Sequence, residues 1–202
     1  MMNDKFYLLP TEKQNRMINA AYKVFSQNSY KKAPMAEIAE ESGISKALLF
    51  HYFKNKKELY VYLWTYGIEL TKKAIEECQT LQTTDFFEML KRSLFAKCSV
   101  MRKYPYVFAF LLNAYYEHQP DIKETIHSHY EDINEKCKVR ILELIDKKIL
   151  RTDIDLKIMY REIMMAVDGY LFQQYHTGMI EPDEIEKDFT IFIEHWRTIY
   201  CI

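Results

Sequence analysis

Ala33–Leu59 reads APMAEIAEESGISKALLFHYFKNKKEL, and this stretch decides the fold. Pro34 can open a short helix, Met35–Glu41, that stops at Ser42-Gly43. Ser45 can cap a second helix, Lys46–Phe53, and Asn55 a longer one from Lys56 to about Cys78. Two short helices that cross need a small residue at the crossing, which Ala39 supplies. They also need a turn residue tolerant of positive φ, which Gly43 supplies four residues on. Ile38, Ile44 and Leu49 fall where the pair shares a core. A second helix of roughly eight residues is about 12 Å long, a length that lies readily in a major groove. These features alone favour an ordinary αα-hairpin of a helical bundle.

Outward from that stretch the pattern stays helical. In Glu12–Gln27 the positions Met17, Ile18, Ala21, Val24 and Phe25 recur at three-to-four spacing. Thr11 with Gln14 forms a candidate capping box. Further helices are expected from Asp85 to Tyr104, from Pro105 to Glu117 and from Pro120 to Leu150. Two more follow, from Asp153 or Asp155 to His176, ended by Thr177-Gly178, and from Pro182 to the C-terminus. The expectation is an all-α fold of nine helices. Four glycines and five prolines in 202 residues are too few for a sandwich or an α/β domain. No two glycines lie close enough for a dinucleotide or phosphate loop. The longest apolar run, Tyr106–Leu112, is far short of a membrane span. The N-terminus lacks a signal-peptide pattern. Cys78, Cys98, Cys137 and Cys201 form no C-x-x-C pair and read as reduced thiols of a cytoplasmic protein.

Charge is unevenly distributed. Residues 1–60 carry ten Lys or Arg against six Asp or Glu, whereas the remainder holds 18 against 23. A basic first third suggests that this part meets a polyanion.

The strings Ile38-Ala39, Gly43-Ile44-Ser45-Lys46, Leu49-Phe50-His51-Tyr52-Phe53 and Lys54-Asn55-Lys56-Lys57-Glu58-Leu59 closely resemble the DNA-binding domain of TetR-type (tetracycline-repressor-like) transcriptional regulators. The resemblance covers about residues 10–70, with the helix-turn-helix at 34–53. It implies a three-helix DNA-binding domain followed by an effector-binding and dimerisation domain over 71–202. On the matching positions it implies DNA contact by Ser45, Lys46, Ala47, Leu48, Phe50, His51, Tyr52 and Lys56. Lys46 reaches phosphate or a guanine edge, and apolar Ala47 and Leu48 favour a thymine methyl. His51 is a candidate base contact and Tyr52 a candidate phosphate contact, while Lys56 offers charge at a helix N-terminus. Two positions depart from the family pattern. Phe50 stands where Tyr is frequent, and Ala33-Pro34 where Thr residues commonly open the second helix. A phosphate contact at each place is thereby in doubt.

In Ile158–Tyr175 twelve of eighteen residues are apolar or tyrosine, so this helix needs cover on two sides. The resemblance implies that the last two helices pack against their copies in a homodimer. The interface positions expected are Ile163, Val167, Gly169, Leu171, Phe189, Ile193 and Trp196. The alternative for this stripe is the core of a monomer. The region from Phe86 to Tyr116 is rich in aromatic residues and Met, suited either to a bulky core or to a small lipophilic effector. Candidate effector contacts are Phe95, Met101, Phe108, Leu112, Tyr115, Met165, Asp168 and Phe172. Asp168, in an apolar setting, needs an interface partner, a proton or a ligand cation.

His127 and His129, two apart on a helix, point differently and cannot share a metal. No G-x-S-x-G, H-E-x-x-H or paired-carboxylate motif occurs. No catalytic residue, metal or cofactor is therefore expected. The sequence reads as a ligand-responsive repressor that binds a palindromic double-stranded operator as a homodimer and is released by a small effector. The competing readings are a constitutive DNA-binding regulator and a helical carrier or interaction module that no longer binds DNA.

Overall fold

Four of the nine helices described start on a side-chain cap. The computed structural model describes residues 4–177 and 181–202 and contains nine α-helices among them. Ser45 Oγ accepts the Leu48 amide at 3.1 Å and so starts α3, Lys46–Tyr52. Asn55 Oδ1 accepts the Glu58 amide at 2.9 Å at the start of α4, Lys56–Glu77. Asp85 and Asp155 do the same for α5, Phe86–Lys103, and α8, Leu156–Thr177. Each satisfies amides that a helix leaves without an internal partner. The capping box expected at Thr11 does not form. Pro10 occupies the cap position of α1, Thr11–Gln27, and Gln14 Nε2 turns back to donate to the Leu9 carbonyl at 2.8 Å.

Two further departures have local causes. The seventh helix, α7, spans Pro120–Leu144 rather than running to Leu150. Asp146 Oδ1 accepts the Lys148 amide at 2.9 Å and starts a separate 3-10 turn, Lys147–Ile149. Pro105 lies outside α6, Val107–Tyr115. The stop expected at Gly178 lies outside the described residues. No helix among the described residues is long and apolar enough to cross a membrane.

The chain forms two compact units, Met1–Leu70 with Lys103–Glu131, and Thr71–Arg102 with Asp132–Ile202. In the first, α1 and α6 pack on α4 through an aromatic core. Phe25 and Phe110 each lie 4.9 Å from Tyr60 between ring centroids. The buried Tyr22 hydroxyl donates to the Leu63 carbonyl at 2.8 Å. At Gly67 both α6 and α1 crowd against α4. A methyl there would stand 3.1 Å from the Tyr22 hydroxyl, 3.2 Å from Leu111 and 3.3 Å from Val107.

In the second unit α5, α8 and α9 (Pro182–Tyr200) surround Phe86, Phe87 and Tyr160. The Phe87 ring stacks on Tyr200 at 6.4 Å, and Arg197 lies over Phe87 while pairing with Asp85 at 2.6 Å. The C-terminus is clipped back by two backbone bonds, Arg151 N–H to the Tyr200 carbonyl and Ile202 N–H to the Ile149 carbonyl. Cys98, with no exposed surface, has its thiol pushed up to about 12 by burial and by Glu186. Cys137 is exposed. Because the thiolate is the reacting species, iodoacetamide on the folded protein should label Cys137 well before Cys98. Mass spectrometry of the digested adduct checks this order.

Candidate nucleic-acid interface

The geometry around α3 follows from its residue order. Leu49 and Phe53 turn inward, with relative exposures of 0% and 1%, and fix the helix to the core. Lys46, Ala47, Leu48, Phe50 and His51 are all exposed, so one side of a short helix stands free of the protein. The helix before it, α2, spans Met35–Glu41, and Ala39 is buried where the two cross. Gly43 adopts φ +68° in the turn between them, a left-handed conformation that costs other residues roughly 1–2 kcal/mol. Replacing Gly43 by Ala should therefore lower unfolding free energy by about that amount, measurable by urea denaturation. Lys23 of α1 pairs with Glu41 at 2.8 Å and ties α2 to the scaffold.

Individual residues take different positions from one another. Lys46 Nζ sits 6.0 Å over the Phe50 ring, which keeps a cation at the exposed edge. Tyr52 is only 9% exposed, and its ring meets Phe6 and His51. Lys56 donates to the Tyr30 and Lys31 carbonyls, both at 3.1 Å, and lies 5.6 Å over the Tyr30 ring. Two of its three ammonium protons are thus committed, leaving one for a phosphate; burial lowers its pKa. The turn it grips is held from the other side as well. Glu117 accepts the Tyr30 amide at 2.8 Å, and Asn113 donates to the Ser26 carbonyl at 2.7 Å. Glu117 and Lys56 lie in polar stretches of the sequence that gave no signal of this role.

The N-terminal residues form a feature the sequence reading missed. A 3-10 turn, Asp4–Phe6, places Phe6 fully inside against Tyr52, Phe53 and Tyr62. The apolar cluster Phe6-Tyr7-Leu8-Leu9 ahead of the first amphipathic helix was the available signal.

Effector and interface positions spread over both units. Phe108, Leu112 and Tyr115 lie half-buried on α6, and Tyr115 stacks on His127 at 5.0 Å. In the second unit Met101 is buried on α5, whereas Phe95, Met165 and Phe172 are exposed. Asp168 is exposed on α8; partial desolvation raises its carboxyl pKa and the Lys97 cation opposes the rise. The interface stripe is corrected in part. Ile163, Phe189 and Ile193 are 0%, 5% and 3% exposed, so their side chains are spent on the protomer's own core. Val167, Leu171 and Trp196 are half-buried, and Gly169 has open space beside it. His127 and His129 diverge as expected, to the Tyr115 carbonyl and to Trp64 Nε1. Among the described residues no cluster of three metal-ligating side chains occurs.

Residues 17–63 match the family model described as bacterial regulatory proteins, tetR family. The transcriptional repressor AcnR of Corynebacterium efficiens is 20% identical over 163 residues, covering 80% of this chain and 81% of that protein. The uncharacterised HTH-type transcriptional regulator YerO of Bacillus subtilis is 29% identical over 180 residues, 87% of this chain and 60% of the relative. Among solved structures, the TetR-family regulator PfmR of Thermus thermophilus superposes with a TM-score of 0.66 at 19% identity, covering 90% of this chain and 93% of that one.

Proposed function

Through the segment bearing its helix-turn-helix the chain belongs to the TetR family of bacterial regulatory proteins, and on that premise we propose that it is a ligand-responsive transcriptional repressor. The observation that carries the reading is the capped, outward edge of α3, with Lys46, Ala47, Leu48 and His51 exposed on a rigidly seated helix. Ser45, Phe50, Tyr52 and Lys56 complete the DNA contacts. In this reading residues 10–70 form the DNA-binding domain and 71–202 the effector-binding and dimerisation domain. Two copies on a two-fold axis present two recognition helices to successive major grooves, about 34–36 Å apart, and so read a palindrome.

A small lipophilic effector releases the operator. For release, the effector must bind the state unable to grip DNA more tightly than the state that grips it, and that difference is the coupling free energy. The chain does its work by binding, without a catalytic step, in the cytoplasm.

Selection of bound duplexes from a random-sequence pool tests this. The expected product is an inverted repeat bound far more tightly than unselected DNA, with affinity falling as salt rises. Recovery of only weak, sequence-blind binding at every salt concentration would overturn it. On the selected duplex, His51→Ala should change sequence preference at one position of each half-site rather than weaken all duplexes equally. Repeating the selection with the variant checks this.

A further inference from the structure

Beside the recognition helix lies a cleft of about 140 Å³ whose far side is built by residues outside the helix-turn-helix. One wall is the Leu48–Tyr52 edge of α3, one turn apart on the helix. The floor includes Gly43 and Ile44 of the turn, and the far wall is the first two turns of α1 with Lys13 and Arg16. The Arg16 guanidinium lies over the turn, with Nη1 3.6 Å from where a Gly43 Cβ would stand. Its one ion pair among the described residues, to Glu12 at 3.4 Å, joins two exposed side chains on the same helix, a kind of contact worth little. Lys13 is exposed and has no side-chain partner among the described residues. Behind the cleft, Phe6 pins the preceding chain to the end of α3, so the first turn of α1 is held in place beside it.

We infer that this cleft is a binding site for a backbone phosphate of duplex DNA, with Lys13 and Arg16 as its cationic ligands. The inference rests on the DNA-binding reading and adds to it a contact outside the helix-turn-helix. A helix seated in a groove about 12 Å wide has sugar-phosphate backbone along both edges. The cleft opens on one such edge, where two flexible cations lie with apolar surface beneath their stems. A phosphate fixed there sets the depth and tilt of α3 without reading a base.

The test uses the full-length protein and the duplex it selects. Operator affinity is measured by fluorescence anisotropy across a salt series for wild type, Lys13→Ala, Arg16→Ala and the double variant. A phosphate lost from each protomer should flatten the slope of log K against log salt by about 0.9 per protomer. Affinity at 0.15 M salt should fall about thirtyfold for the dimer, a factor of about five for each lost contact. Arg16→Lys, which keeps the charge, should restore most of the slope, and Lys73→Ala, remote on α4, should leave it unchanged. Helicity and melting temperature should match wild type in every variant, since the replaced side chains are exposed. A second arm adds inorganic phosphate to the free protein at constant ionic strength. If the double variant loses stabilisation by phosphate yet keeps the wild-type slope, the site takes a free anion and the inference fails. It also fails if the double variant matches wild type in both arms. A wild-type protein that selects no duplex fails earlier, at the DNA-binding reading itself.

Discussion

Phe6→Ala should cost the protein about 3–5 kcal/mol, the range for truncating a buried aromatic, although Phe6 precedes the first α-helix. Phe6 has no exposed surface and meets Phe53 at 5.0 Å, Tyr62 at 5.7 Å and Tyr52 at 6.0 Å between ring centroids. The cavity left by alanine would border three large rings anchored in two helices, none of which can collapse inward cheaply. Urea denaturation should show the midpoint falling while the slope with denaturant stays constant, the mark of lost stability rather than a changed unfolded state. Phe6→Leu should recover most of the loss. The competing possibility is physical: segments near a terminus often detach locally at little global cost. If Phe6→Ala shifts the midpoint by less than 1 kcal/mol equivalent, the turn at Asp4–Phe6 is docked only part of the time. Because Tyr52 and Phe53 close α3, the same variant should also weaken operator binding, through a recognition helix held at one end only.

The contrast between Phe6 and the helix-turn-helix shows what the sequence could convey. The turn at Gly43, the caps at Ser45 and Asn55 and the inward Leu49 are local devices, each decided within a few residues, and each appears where the pattern put it. Phe6, Lys56 and Glu117 act over distances the chain order hides. Glu117 reaches a backbone amide 87 residues away, and Lys56 reaches carbonyls 25 and 26 residues before it. A carboxylate or ammonium in a polar stretch looks solvated until the fold supplies its partner. The Thr11 capping box failed for a related reason. Pro10, with φ −52°, already serves as the cap residue, and the Gln14 side chain is used on the carbonyls of the segment that carries Phe6. In α9 the periodicity of Ile185, Phe189 and Ile193 was legible but its direction was not. An apolar stripe identifies a buried face and leaves open whether the same protomer or a second copy buries it.

That ambiguity sets up the second large effect. Helix α8 carries two apolar stripes. Met159, Tyr160 and Ile163 are inside the protomer, whereas Ile158, Met165 and Phe172, spaced by seven, are 64%, 64% and 44% exposed. On α9, Ile191, Phe192 and Ile199 are exposed at 58%, 37% and 40%, Phe192 at the margin of the buried stripe with its ring 5.7 Å from Phe189. A patch of this kind on two adjacent helices is suited to burial by a second copy. Met165→Glu and Ile191→Glu should therefore leave the fold intact and disrupt the dimer. In a two-fold interface each substitution occurs twice. At about 2 kcal/mol per buried, unpaired charge the dimer weakens roughly a thousandfold. Light scattering at micromolar concentration should then read the monomer mass, with helicity unchanged. Operator affinity should drop at least a hundredfold, because each half-site is held by one domain alone. Phe189→Glu should behave differently, losing helicity and cooperative unfolding, since its side chain lies in the protomer's core. Gly169 adds a finer measure. With nothing within 4 Å of a built Cβ, alanine there should stabilise an isolated protomer by about 1 kcal/mol through helix propensity. A close partner backbone would instead make the same change weaken the dimer. A Met165→Glu protein that remains dimeric and binds its duplex as wild type does would move the interface off the outer stripe of α8.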